Sequence, residues 1–378
     1  MEPKRPKITP YQLDMFIQPI VHVYQALEEE IFEMIAKRLK TSEDYSADNV
    51  LEWQVDKLNQ LRLVNEDTIK ALAKATGIAE KEIRKAIYEA GIQTIESVDE
   101  ELKDIYPPLP RPTQIDTILE SYVRQTFREL DNFVNQTLIT TNYGEGTVAR
   151  MYRRIVEETT GKVLAGLKTT NKAIAETVIE WSRKGIDTAF VDRGGNVWHL
   201  ERYAETVIRS TVNRTYNELR MSRMEEYGID LVLVSSLPDP REACSLIQGK
   251  VASIKPIAEN DSKYPSIYEF GYGEPDGLRG INCRHMFFPF VEGVMENNQP
   301  QYSEEEMTHN RELRQRQRYL ERQIRQAKRE LKLAEIVGDE ETILAKKKLL
   351  RNRQARIREF VAEHDLTRRY DREKIYTW

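Results

Sequence analysis

Four side chains have the types and placement to do chemistry: Asp239, Cys244, Cys283 and His285. Thiolate, imidazole and carboxylate all bind zinc, so the set could converge on one ion. Structural zinc sites usually carry paired Cys-x2-Cys spacings, whereas this chain has one cysteine in a first loop and a Cys-x-His in a second. The expectation is therefore no metal and no cofactor. Cys283 and His285 would be buried structural residues, with His285 bonded to a loop carbonyl and Asp239 capping a turn. A thiol hydrolase would need a cysteine beside a histidine. Cys283 and His285 share a strand face but their short side chains diverge, and Cys244 with His285 is geometrically open. No pattern supplies an orienting third group or an oxyanion loop. No phosphate loop, dinucleotide fingerprint or paired-carboxylate motif occurs, so no enzyme is expected.

The segment that positions these residues runs from 239 to 290. It holds Gly271, Gly273, Gly277 and Gly280, then Asn282-Cys283-Arg284-His285, then an aromatic run closed by Pro289. The glycines are expected to shape the backbone so that residues 264–285 fold back over strands. Trp198, Phe287, Phe288 and Phe290 are expected to form the core beneath. Short β-type runs at 188–191, 197–200, 231–237, 250–254 and 285–290 supply the strands, the last cut off by Pro289 unless it lies on an edge. Asp192-Arg-Gly-Gly-Asn196 is a hairpin turn. A helix over 201–227 carries Arg209, Arg214 and Arg220, expected to be exposed and paired with Glu205 and Glu218.

Around this segment the sequence predicts mostly helix. Residues 1–10 are an extended arm. Apolar residues recur at helical spacing over 11–40, where Ile17, Ile20, Tyr24, Leu27, Ile31 and Ile35 fall in step, and a second helix follows at 48–63. Residues 65–91 predict a helix pair broken at Gly77 and ended at Gly91, with the look of a helix-turn-helix. Five basic and five acidic residues over 66–91 leave it no basic face, which favours an ordinary bundle pair over a DNA-binding one. Pro107-Pro-Leu-Pro-Arg-Pro112 is a stiff linker. Helices follow at 113–141, 147–160 and 168–184. After Ser303 near-heptad spacing predicts two helices turning at Gly338-Asp339.

The fold class is therefore mainly α with a small α+β domain: an N-terminal helical region (1–106), the linker (107–112), a helical middle region (113–185), an α+β core (186–294), an antiparallel helical hairpin (303–363) and a tail (364–378). The net charge of −5 hides a polarity. Residues 304–378 carry 20 Lys+Arg against 15 Asp+Glu, and the remainder 37 against 47. The acidic body is a poor polyanion binder, whereas Arg322, Arg325, Lys346, Lys347, Lys348, Arg351 and Arg353 of the hairpin are candidates to contact DNA or an acidic partner. Two cysteines in 378 residues point to a reducing cytoplasm rather than a disulfide scaffold, and no run has the length to span a bilayer.

Asp239-Pro-Arg-Glu-Ala-Cys244, Gln248-Gly-Lys-Val251, Tyr264-Pro-Ser266, Gly271-Tyr-Gly273, Asp276-Gly-Leu278 and Asn282-Cys-Arg-His285 fall in one order. The ordered set resembles the minor capsid (minor head) proteins of tailed phages, a group related to the Mu F-like and SPP1-type minor head proteins. The resemblance is specific over 185–378 and diffuse before that. It implies a structural protein made in the bacterial cytoplasm and placed in multiple copies inside the head, at or near the portal vertex. The portal protein would be its partner, with the major capsid protein or scaffold and packaged DNA as further ones, and no membrane. A role in head assembly and genome packaging or ejection would follow. The competing expectations are a DNA-binding adaptor, using 65–91 and the hairpin, and a cysteine- or metal-dependent effector delivered with the genome.

Overall fold

The computed structural model of the protein describes residues 10–43, 45–112, 115–138, 147–166, 168–191, 197–280 and 283–377. The side chains of 10, 11, 13, 131–138, 187–199 and 201–202 lie outside that description. So do residues 1–9 of the arm expected over 1–10, the turn at 192–196, the side chain of Trp198 and the whole of Asn282.

In chain order the helices are α1 (Pro10–Leu39), α2 (Val50–Asn59), α3 (Leu61–Leu102), α4 (Ile115–Leu138), α5 (Thr147–Leu164), α6 (Thr170–Lys184), α7 (Leu200–Glu226), the single turn α8 (Glu242–Ser245), α9 (Glu304–Val337) and α10 (Glu340–Glu363). The strands are β1 (Asp187–Val191), β2 (Val197–His199), β3 (Leu231–Val234), β4 (Val251–Ser253) and β5 (Phe287–Pro289). The fold is mainly α with a small antiparallel sheet, and no described helix is long and apolar enough to cross a membrane.

One expectation fails here. Residues 65–91 are not a helix pair but part of the unbroken α3. Gly77 lies on its exposed side, where a glycine costs a helix about 1 kcal/mol and does not end it. Gly91 is buried, and a Cβ there would stand 2.3 Å from a methyl of Leu119 on α4. The glycine serves close helix packing rather than a helix end.

The chain forms two compact units. The first comprises residues 1–20, 80–128 and 205–314. Its sheet has the order β4-β3-β5, antiparallel throughout, with Val232 opposite Ala252 on one side and Pro289 on the other. Pro289, which lacks a donor, thus sits on an edge strand, where a missing N–H is tolerated. Alternation along β3 sends Val232 and Val234 into one apolar cluster and Leu233 into another. The larger cluster joins Val98 and Leu102 of α3, Met224 of α7, Ala252, Ile267, Leu278 and Phe287, with both cysteines inside it. Phe290 belongs to the second, with Phe288 packed half-buried against it.

The second unit comprises residues 21–79, 129–204 and 315–378. Here α2 packs on α5, α5 on α6, and α6 on α10. The apolar seam of α9 and α10 closes over Leu320, Ile324 and Ile357. Arg329 of α9 reaches Glu28 at 3.2 Å and Glu29 at 2.5 Å, all three buried. Within this unit the helical hairpin is therefore bolted to α1 by charge as well as packed by its own seam.

Candidate functional site

The site lies in the first unit, where the chain leaves β3 and later returns to β5. Ser235 N–H donates to the Met286 carbonyl at 2.9 Å, and Ser235 Oγ accepts from Met286 N–H at 2.9 Å. This double tie places the first loop, with α8 and Cys244, beside the second, with Cys283 and His285. Between them Ser266 opens a 3-10 turn (Ile267–Phe270) through a capping box with Glu269, and Gly271 closes it at φ 65°.

Beyond Gly271 the backbone doubles back on itself. Gly273 N–H donates to Leu278 O and Gly280 N–H to Gly277 O. A Cβ on Gly277 would lie 2.0 Å from the Gly271 carbonyl oxygen, so no other residue fits there without moving main chain.

Two arginines tie this turn in place, and two more hold the segment that follows it. Arg241 donates to the Gly277 carbonyl at 2.6 Å and the Pro275 carbonyl at 3.4 Å. Arg279 donates to the carbonyls of His285 and, at 2.7 Å, Asn213. Arg284 pairs with Asp239 at 2.7 Å. Arg220, expected to be exposed, is fully buried: it bonds the Phe287 carbonyl and the Glu101 carboxylate, and lies 3.4 Å from Ser97 Oγ. Arg209 does pair with Glu205, at 3.0 Å, but it is buried too. One helical turn beyond Arg220, Arg223 bonds Asp99 and the carbonyls of Leu109 and Pro110. The proline-rich segment is thereby pinned to α7. Spacing marked Arg220 only as one of several arginines on α7, and Arg241 had a weak signal, three residues before Cys244 in the Asp-Pro-Arg motif.

Cys244, Cys283 and His285 meet in the core, with exposures of 0%, 3% and 1%. The sulfurs are 3.6 Å apart, and Cys283 Sγ is 3.5 Å from His285 Nδ1. Gln248 fixes the imidazole. Its Oε1 accepts the Leu237 N–H at 3.0 Å, so the His285 Nε2 that lies 3.0 Å from the same oxygen must be the donor. In the neutral ring with that tautomer, Nδ1 is the acceptor and faces Cys283 Sγ. The contact with Cys244 draws the Cys283 thiol well below its ordinary range against the cost of burial. Its partner Cys244 is pushed up by the same sulfur contact and by burial. Asp239 does not join them. It faces Arg284 and Arg314 instead, because carboxylate and guanidinium compensate each other's burial.

In the second unit the candidate cations of the hairpin divide. Lys346 bonds the buried Glu330 at 2.8 Å, and Arg353 donates to the Gln323 carbonyl, so these two are turned inward and do not face a partner as expected. Arg325 is half-buried. Arg322, Lys347, Lys348 and Arg351 are exposed, and no carboxylate among the described residues pairs with them.

Comparison with known proteins matches residues 8–362 to the family described as phage minor capsid protein 2. A structural protein of Lactococcus phage LL-H is 37% identical over 365 residues, 94% of this chain and 98% of that protein. A structural protein of Lactococcus phage mv4 is 48% identical over 114 residues, 30% of this chain and 93% of that one. No solved structure matches. With nearly its whole length matched, this chain belongs to the phage minor capsid protein 2 family and is a structural protein of the virion.

Proposed function

We propose that the protein is mounted inside the phage head at the portal vertex, supports head assembly, and turns one face of its helical hairpin toward packaged DNA. Its role is architectural rather than catalytic. The observation that carries the DNA contact is the uncompensated cation face. Lys347, Lys348 and Arg351 project from α10 and Arg322 from α9, while their neighbours Lys346 and Arg353 are spent on internal bonds. Exposed lysines and arginines without carboxylate partners are what a phosphate backbone attracts, without sequence preference. Two exposed apolar residues one turn apart on α2, Leu51 and Val55, support a protein contact by the N-terminal region.

Two measurements test this. The full-length chain should co-elute with the purified portal ring of its phage, and failure to do so at micromolar concentrations removes the vertex assignment. It should also shift duplex DNA with steep salt dependence. Reversing Lys347, Lys348 and Arg351 to Glu together should lower the salt slope by about 2–3, close to 0.9 per lost phosphate contact. No shift at low salt, or a slope unchanged by the triple reversal, rules out the hairpin as a DNA-facing surface.

A further inference from the structure

We propose that Cys244, Cys283 and His285 form a zinc site. Their ligand atoms all lie within 4.8 Å of one another, and all three residues are buried. Two edges of this triangle have the dimensions of a coordination tetrahedron. With Zn–S of about 2.3 Å and Zn–N of about 2.05 Å, tetrahedral angles place two sulfurs about 3.8 Å apart and a sulfur and nitrogen about 3.5 Å apart. The corresponding separations here are 3.6 Å and 3.5 Å.

The surroundings fit the same ion. A histidine ligand normally gives its second ring nitrogen to a hydrogen-bond acceptor, which fixes the tautomer and aims the ligating atom. Gln248 does this for His285, held in turn by the Leu237 N–H. Charge also balances. Both sulfurs bind as thiolates, and two thiolates neutralise Zn²⁺, so the occupied site adds no net charge to the apolar cluster. Arg241 Nη2, 3.7 Å from Cys244 Sγ, can donate to that thiolate. Soft sulfur with imidazole selects zinc over magnesium or calcium. Among the described residues no fourth Cys, His, Asp or Glu completes the group, which leaves the last vertex to water. Cys244 arrives on α8 and the other two on the loop before β5, so the ion would clamp the two loops that flank β3.

The test uses the full chain, purified reduced, stripped with a chelator, and titrated with Zn²⁺ against a chromophoric competitor. The expected result is about one ion per chain, and a Co²⁺ form showing tetrahedral bands with thiolate charge transfer. Cys283→Ala should abolish uptake. Gln248→Ala keeps every ligand and should weaken affinity about 10- to 100-fold. A folded wild-type chain that takes up no zinc, or takes up as much in Cys283→Ala, overturns the proposal. So does a Cys244–Cys283 disulfide in the reduced preparation. Should Cys283→Ala fail to fold, the wild-type Co²⁺ spectrum decides: no thiolate band means no site.

Discussion

The turn around Gly277 and the helical hairpin of α9 and α10 hold their shapes by opposite means. The turn has almost no repeating hydrogen bonds. Two of its carbonyls are gathered by the Arg241 side chain, and its path depends on glycines pressed against main chain, Gly277 on Gly271 and Gly280 on Glu274. The hairpin satisfies its backbone internally and closes on an apolar seam, Leu320, Ile324 and Ile357, which several residue types could supply. A regular element spreads its stability over many small contacts, whereas an irregular one concentrates it in a few groups that have no substitute. Mutational cost should therefore be high and local in the first region and low and distributed in the second.

The largest effect is expected at Arg220. Its guanidinium is fully buried between Glu101 and the Phe287 carbonyl. Burial raises the Glu101 pKa above its ordinary value, and the arginine works against that rise without cancelling it. Arg220→Ala leaves a carboxylate and a carbonyl in the core without their partner, a loss of about 3–5 kcal/mol. Arg220→Met combined with Glu101→Gln removes both charges and should recover much of it. Urea unfolding of Arg220→Met, Glu101→Gln and the double measures the coupling, and a double mutant no better than Arg220→Met would show that the pair is not the unit that matters.

Next in size is Gly277→Ala. The added methyl meets the Gly271 backbone at 2.0 Å, and main chain cannot rotate away as a side chain can. A loss of about 3 kcal/mol is expected, at the upper end of overpacking costs. Gly77→Ala is the matching control on exposed helix, where nothing lies within 4 Å of the new methyl and about 1 kcal/mol should be gained. Thermal melts of the two should move in opposite directions.

The same contrast governs what the sequence could disclose. Periodicity gave away α1, α7 and the hairpin because only a helix gathers apolar residues at that spacing onto one buried stripe. The strands were legible for a related reason: Leu231–Val234 is β-branched or apolar throughout, and Pro289 could belong only to an edge. Gly91 misled because a glycine that ends a helix and one that admits Leu119 look alike in one dimension. Side-chain staples leave no period at all. Arg220 and Glu101 are 119 residues apart, and nothing in their spacing says that they meet. Cys244, Cys283 and His285 could be named as candidates by type, but the exclusion of Asp239 depended on Arg284 and Arg314, which only the folded backbone brings to it.

The hairpin supplies its own exception, and it sharpens the comparison at smaller scale. Glu330 of α9 is fully buried and holds Arg183 of α6 at 2.7 Å and Lys346 of α10 at 2.8 Å. Burial pushes its carboxyl toward protonation, but the hydrogen bonds from Arg183 and Lys346 outweigh that cost and bring the pKa below its ordinary value. The sign of the linkage follows. In the unfolded chain Glu330 takes up a proton near pH ~4.3, and in the folded protein only at lower pH. Its contribution is complete above the unfolded value and is lost as pH falls through the folded one. Glu330→Gln should cost about 2 kcal/mol at pH 7, the scale of a charge-assisted hydrogen bond, and should flatten the decline of stability below pH ~4.3. Denaturant midpoints measured from pH 7 to pH 3 test both halves. Curves that stay parallel into acid would mean that the carboxylate is not what joins these three helices. The hairpin would then rest on its apolar seam and the Arg329 pairs with α1, and the contrast with the turn would be sharper still.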